Sequence, residues 1–132
     1  MKILIIDDDA DIRSIARLGL SRVGGMTVIE ATSGVEGVRK AQDENPDVIL
    51  LDMMMPTMDG LETLAALRSQ PATASTPVIF LTAKAGGDQV ERMTSLGAAG
   101  VLVKPFDPRT LSRDVRALVN RQRGDSDEGG HA

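Results

Sequence analysis

The chain has 132 residues, the size of a single domain with a sizeable core. Its net charge of -4, with no Tyr or Trp and only 2 Phe, argues against a basic or base-stacking surface, so we expect no direct DNA binding. It has 0 cysteines, no signal-peptide pattern and no apolar run of about 20 residues, so we expect a cytoplasmic protein without disulfides or a membrane span.

Strand-like and helix-like segments alternate along the chain. Short, continuous, β-branched runs are typical of parallel strands covered on both faces, and they predict strands at 2–6, 26–31, 47–51, 78–81 and 100–103. Capping residues and apolar spacing predict helices at 11–23, 33–44, 59–69, 88–96 and from Pro108 onward. We therefore predict an α/β fold: a five-stranded parallel sheet of order 2-1-3-4-5, in a flavodoxin-like three-layer sandwich. The domain is expected to span 1–121, and the polar segment 122–132 is expected to be a disordered tail.

Five polar residues stand at the ends of these predicted strands. Asp7 and Asp8 follow the first strand, Asp52 the third, Thr82 the fourth and Lys104 the fifth. Because the carboxyl ends of parallel strands share one edge of the sheet, these side chains are expected to converge in one crevice. An acidic turn in solvent is the alternative for the Asp run, and Asp52 on a neighbouring strand argues against it.

The convergent groups suit a divalent cation and a phosphoryl group. Clustered carboxylates and a backbone carbonyl, for which Met54 is well placed, form an oxygen-only site that selects Mg²⁺ or Mn²⁺. A carboxylate such as Asp52 can attack a phosphoryl donor to form an acyl phosphate. Lys104 and Thr82 would then stabilise the charge on the transferred oxygens.

The chain resembles a bacterial two-component response-regulator receiver domain of the stand-alone, chemotaxis-regulator type. The resemblance covers about residues 2–121. It rests on four motifs, which are Ile-Ile-Asp-Asp-Asp at 5–9, Leu-Leu-Asp-Met-Met-Met-Pro-Thr-Met-Asp-Gly at 50–60, Leu-Thr-Ala at 81–83 and Val-Lys-Pro-Phe at 103–106.

The resemblance implies a phosphoacceptor that catalyses its own phosphorylation and slow dephosphorylation, and is not otherwise an enzyme. It implies that Asp52 takes a phosphoryl group from the phosphohistidine of a sensor histidine kinase or phosphotransfer protein. Asp8, Asp52 and the Met54 carbonyl would bind Mg²⁺, for which Mn²⁺ can substitute, and Asp7 would act through water.

The resemblance also assigns the residues of the conformational switch. Thr82 and Lys104 would hold the phosphoryl group, Thr82 would move toward it, and Ala83 would leave room and lend an N–H. Receivers of this type usually have Tyr or Phe where this chain has Val101. We therefore expect the signal to be carried by the fourth helix and its loop, at 85–96, or by a partner surface that does not read this side chain. Bulk at Met54 and charge at Lys84 predict a phosphoryl lifetime longer than that of the fastest chemotaxis regulators.

The resemblance leaves the output open. A downstream protein could bind the fourth helix, fifth strand and fifth helix, and phosphorylation could drive dimerisation through the same face. The domain could instead relay the phosphoryl group onward, or the chain could be truncated from a longer one.

Two other functions fit the sequence less well. A haloacid-dehalogenase-like aspartate phosphatase would use Asp7 as its nucleophile, but that family wants Thr or Val where this chain has Asp11. A flavodoxin-like binding module would need a Ser/Thr-rich phosphate loop after the first strand and aromatic residues around the flavin, and both are missing from the sequence.

Overall fold

The structure is a computed structural model that describes the backbone of residues 1–83 and 86–131 and the side chains of 1–83 and 86–122. The strands are β1 (Lys2–Ile6), β2 (Thr27–Ala31), β3 (Val48–Asp52), β4 (Val78–Thr82) and β5 (Gly100–Val103). The helices are α1 (Ala10–Arg17), which continues as a π-helical segment (Leu18–Val23), α2 (Gly34–Glu44), α3 (Gly60–Arg68), α4 (Gly87–Ser95) and α5 (Leu111–His131). Within the described residues, no helix combines the length and apolar content that a membrane span needs.

All neighbouring strands are parallel, and their order is β2-β1-β3-β4-β5, which confirms the predicted topology. The register places Ile6 opposite Leu51 and Thr82 opposite Val103. Asp7 and Asp52 therefore follow paired residues of adjacent strands, at the point where the strand order reverses and ligands bind in such sheets.

The sheet separates two apolar cores because alternate strand residues face opposite sides. Ile3 and Ile5 face α1 and α5, where they pack with Leu20 and Val115. Leu4 and Ile6 belong to the second core, which also contains residues of α2, α3 and α4. The central strands β3 and β4 are buried along their whole length, so the loops at their carboxyl ends start from a rigid base.

Side-chain caps begin the first three helices. Asp9 accepts a hydrogen bond from the Asp11 amide at the start of α1, and Ser33 accepts one from the Glu36 amide at the start of α2. Asp59 and Glu62 form a reciprocal capping box at α3. With Ser33 and Asp59 as caps, α2 and α3 begin within one residue of their predicted starts.

The first helix ends at Val23 as predicted, but its last part and the start of the last helix differ from the sequence prediction. The first helix turns π-helical where Gly19 approaches Pro108, since a Cβ at Gly19 would lie 2.7 Å from the Pro108 carbonyl oxygen. The last helix begins at Leu111 and not at Pro108, because the Asp107 side chain and carbonyl hold the intervening residues in a turn.

The helix α5 continues through 122–131, for which the sequence predicts a disordered tail. This segment contains no proline, so nothing sterically stops the helix. The side chains of 123–132 lie outside the described residues, as do Lys84 and Ala85 of the predicted switch segment.

Candidate functional site

The site is built where four strands end. Asp7 follows β1, and its amide donates to the Ala31 carbonyl of β2 at 3.1 Å. Asp52 is the last residue of β3, and Thr82 is the last of β4. Lys104 follows β5, and its amide donates to the Thr82 carbonyl at 2.8 Å. The backbone hydrogen bonds of the sheet edge thus fix the starting point of each functional side chain.

A single ammonium group joins the two buried carboxylates. Lys104 Nζ lies 2.8 Å from Asp7 Oδ2 and 3.1 Å from Asp52 Oδ1. Asp7 is fully buried, Asp52 is 4% exposed, and the peptide bond from Lys104 to Pro105 is cis. The structure therefore brings together three residues that are distant in sequence, as predicted.

The electrostatic balance of this group is unfavourable to a charged Asp52. Its burial, the largest influence, and the nearby charge of Asp7 raise the pKa of Asp52 from 3.8 to about 6, although the Met54 amide and Lys104 act in the opposite direction. Burial lowers the pKa of Lys104, but its contacts with the two carboxylates outweigh this effect and the pKa is raised. A second cation would relieve the repulsion that remains.

The carboxylates open onto a pocket of about 270 Å³, and the pocket residues are Asp7, Asp8, Asp9, Asp52, Met54, Ala83 and Lys104. One carboxylate oxygen from each of Asp7, Asp8 and Asp52 lies within 4.8 Å of the others. The buried Asp7 Oδ2 accepts no well-aligned hydrogen bond from any described residue, although Lys104 Nζ is an ion-pair partner at 2.8 Å. Oxygen donors at this spacing, with one incompletely satisfied, fit a small hard cation such as Mg²⁺.

A tight loop after β3 covers one side of the pocket. The Met53 amide donates to the Leu81 carbonyl, and the Met54 amide donates to Asp52 Oδ1 at 3.2 Å. Both the Met54 amide and the Lys104 ammonium therefore contact the same oxygen of Asp52, Oδ1. A Cβ at Gly60 would lie 2.7 Å from the Asp52 carbonyl oxygen, so the loop returns too close to β3 for another residue.

Thr82 and Ala83 lie at and just beyond the end of β4, the strand next to β3. Thr82 is 5% exposed at the end of β4, and Ala83 is exposed at the pocket wall. Val101 lies on β5, half-buried and packed against the core that includes α4. This position is therefore adjacent to the helix predicted to carry the signal.

The comparison with known proteins agrees with this geometry. The family model for the response regulator receiver domain matches residues 3–116. The chain belongs to the response regulator receiver family.

The receiver domain is similar to two transcriptional regulators of Bacillus subtilis (strain 168). It is 38% identical to alkaline phosphatase synthesis transcriptional regulatory protein PhoP over 91% of this chain and 49% of that protein. It is 41% identical to transcriptional regulatory protein ResD over 91% of this chain and 48% of that protein. The chain thus spans about half the length of the curated relatives it matches.

The solved structures include a match that is close to full length. Vibrio cholerae chemotaxis protein CheY4 superposes with a TM-score of 0.81 at 36% identity, over 89% of this chain and 97% of that chain. The receiver family and the flavodoxin-like fold are confirmed by these matches. They give no support to a phosphatase or a flavin-binding module.

Two residues next to the site were not indicated by the sequence. Arg13 of α1 donates to the Asp7 carbonyl at 2.8 Å and pairs with Glu30 of β2 at 3.0 Å. A lone arginine on a helix is most often solvated, so only the spatial approach of α1 to the ends of β1 and β2 reveals these contacts.

Proposed function

We propose that this receiver domain is a Mg²⁺-dependent phosphoacceptor in which Asp52 takes the phosphoryl group from a phosphohistidine. The observation that carries the proposal is the buried Asp52 beside Lys104, at the mouth of a pocket that Asp7 and Asp8 also line. A buried carboxylate with a raised pKa is costly to the fold and is typical of a functional group.

Asp7, Asp8, Asp52 and the Met54 carbonyl are the groups that would hold Mg²⁺, as the family resemblance implies. When bound, the cation would supply charge neutralisation for the phosphoryl oxygens and orient them. The carboxylate cluster supports this assignment, because its oxygens already lie within 4.8 Å of one another.

The chain's own residues would carry the transfer. A carboxylate oxygen of Asp52 forms the new bond to phosphorus while the bond from phosphorus to the histidine nitrogen breaks and its electron pair returns to the imidazole. Lys104 is held within 3.1 Å of Asp52 and is positioned to pair with a phosphoryl oxygen. The Thr82 hydroxyl and the Ala83 amide, at the end of β4, would donate to the others. Hydrolysis of the acyl phosphate would return the domain to its resting state.

The exposed face of α4, β5 and α5 is the surface that we propose for a downstream protein or for phosphorylation-dependent dimerisation. An open pocket of about 440 Å³ lies there, and its walls include Val90, Ala98, Val101 and Leu118. Its apolar side chains support a protein partner. With Val101 in place of an aromatic residue, movement of the segment 85–96 would transmit the state of Asp52 to this face.

Incubation with Mg²⁺ and acetyl phosphate, followed by intact mass measurement, tests the proposal. We expect one added phosphoryl group, absent in Asp52→Asn and absent when Mg²⁺ is chelated. Asp43→Asn, an exposed carboxylate of α2, is the matched control and should be labelled normally. Labelling that persists in Asp52→Asn, at Asp7, would contradict the proposal.

The lifetime of the adduct tests a finer expectation. Met54 is 79% exposed beside the pocket and can obstruct an attacking water. We expect the phosphoryl group to persist for longer than seconds after the donor is removed, as read by the decay of the adduct mass. A half-life of seconds would contradict this expectation.

A further inference from the structure

Arg13 is a bridge between two strands and the acidic pocket. Its Nη1 donates to the Asp7 carbonyl at 2.8 Å, and its Nε donates to Glu30 Oε1 at 3.0 Å. The Arg13 side chain is only 15% exposed. Since the guanidinium is planar and rigid, these two contacts fix Asp7 relative to β2 in both distance and direction.

Glu30 can serve as an anchor because it lies in β2, where it is paired with Ile5 of β1. Its other carboxylate oxygen accepts from Arg17 Nε at 2.8 Å, and its carbonyl accepts from Lys40 Nζ at 2.6 Å. Arg17 also reaches the Val28 carbonyl. Among the described residues, Arg17 makes no contact with Asp7. The two arginines therefore share the Glu30 carboxylate, but only Arg13 also binds the Asp7 carbonyl.

We propose that Arg13, anchored by Glu30, is a positioning residue for the cation site, which it controls by holding the backbone of Asp7. This inference rests on the proposed function, because it assumes that Asp7, Asp8 and Asp52 form the Mg²⁺ site. The Asp7 carboxylate contacts Lys104, and Lys104 contacts Asp52. Displacement of Asp7 therefore disturbs the whole cluster, although Arg13 touches no other member of it in the described contacts.

The charge of Arg13 and its positioning role act on the cation in opposite directions. A guanidinium near the pocket repels Mg²⁺, and the carboxylate of Glu30 offsets that repulsion. Loss of Arg13 would therefore tighten Mg²⁺ binding if charge alone mattered. Loss of a residue that orients a metal ligand instead weakens binding, by roughly 10–100-fold in other proteins.

The test measures Mg²⁺ affinity by calorimetric titration, and Mn²⁺ affinity by the loss of the free-ion paramagnetic resonance signal. We expect Arg13→Ala to raise both dissociation constants by about 10-fold or more. Arg13→Lys, a milder change that keeps the charge but not the two-pronged geometry, should raise them at least about threefold. The matched control Arg17→Ala shares the Glu30 anchor and should stay within about twofold of wild type. Thermal unfolding without metal reports the stability of each variant separately.

The outcomes separate a positioning role from a charge effect and from a general loss of stability. Weaker binding in both Arg13 variants, with wild-type binding in Arg17→Ala, would support the proposal. Tighter binding in Arg13→Ala, equal effects of the two alanine variants, or a loss of thermal stability with unchanged affinity would overturn it, as would a wild-type protein that binds neither ion. The titration needs no phosphoryl donor, so the two proposals can fail separately. An Arg13-dependent cation site in a protein that neither acetyl phosphate nor a phosphohistidine donor labels would contradict the proposed phosphotransfer and leave this inference standing.

Discussion

Replacing Asp52 with asparagine is expected to make the domain more stable at neutral pH when divalent cations are absent. Asp52 is 4% exposed, and its pKa is raised from 3.8 to about 6 in the folded state. Burial is the main cause, followed on the raising side by the charge of Asp7. Asparagine removes the buried charge, keeps an oxygen that can accept from Lys104 and the Met54 amide, and leaves Lys104 paired with Asp7.

The magnitude follows from the pKa difference between the two states. The folded state binds the Asp52 proton more tightly than the unfolded state does, so stability falls as pH rises from about 4 to about 6 and is lowest above that range. At pH 7.5 the shift of the Asp52 pKa from 3.8 to about 6 lowers the free energy of unfolding by roughly 3 kcal/mol. At pH 4.5 folded Asp52 is mostly protonated, so the same linkage lowers the free energy of unfolding by only about 1 kcal/mol.

Urea unfolding followed by far-ultraviolet circular dichroism measures this effect, since the chain has neither Trp nor Tyr to report by fluorescence. In EDTA, the free energy of unfolding of Asp52→Asn should exceed that of wild type by about 3 kcal/mol at pH 7.5, and by clearly less at pH 4.5. The control Asp43→Asn, which changes an exposed carboxylate, should unfold with a free energy within about 0.5 kcal/mol of wild type at both pH values. An Asp52→Asn protein that is no more stable than wild type at pH 7.5, or a gain that does not shrink in acid, would refute the reasoning.

Four further results are expected. Mg²⁺ at about 100 times its dissociation constant should stabilise wild type by about 2.7 kcal/mol in thermal unfolding, and Asp8→Asn should lose most of this gain; an equal gain in both would contradict the site. Lys104→Met should cost about 3–5 kcal/mol in Mg²⁺-free urea unfolding at pH 7.5, because two buried carboxylates lose their cation, and less at pH 5 where Asp52 is largely protonated; a loss independent of pH would argue for lost packing instead. Gly60→Ala should lower stability by about 1–3 kcal/mol and slow labelling by acetyl phosphate, because its Cβ meets the Asp52 carbonyl; normal labelling kinetics would show that the loop is free to shift. Amide exchange in 86–100 should change on phosphorylation, and an unchanged exchange pattern would rule out this segment as the signalling element.

The fold could be predicted from local patterns because each apolar run and each helical stripe is contiguous in sequence. Strands separated by helices favour parallel pairing with right-handed crossovers, and the flavodoxin-like order 2-1-3-4-5 was predicted from among the orders that this allows. The same logic placed Asp7, Asp52, Thr82 and Lys104 at one edge, since each comes at the end of a strand. The helix ends were less predictable. The start of α5 depends on a turn made by Asp107, and the π-helical end of α1 lies where Gly19 approaches Pro108 of a distant segment.

What the sequence by itself determined, then, is the parallel α/β class and which polar side chains stand at the ends of strands, because both depend on periodicity and on where strands end. Only the tertiary structure decided how the members interact. Lys104 shared between Asp7 and Asp52, the raised pKa of Asp52 and the hold of Arg13 on the Asp7 carbonyl all depend on burial and on distances of about 3 Å between residues far apart in the chain. Local sequence cannot encode these quantities, because they arise only when separate elements pack against one another.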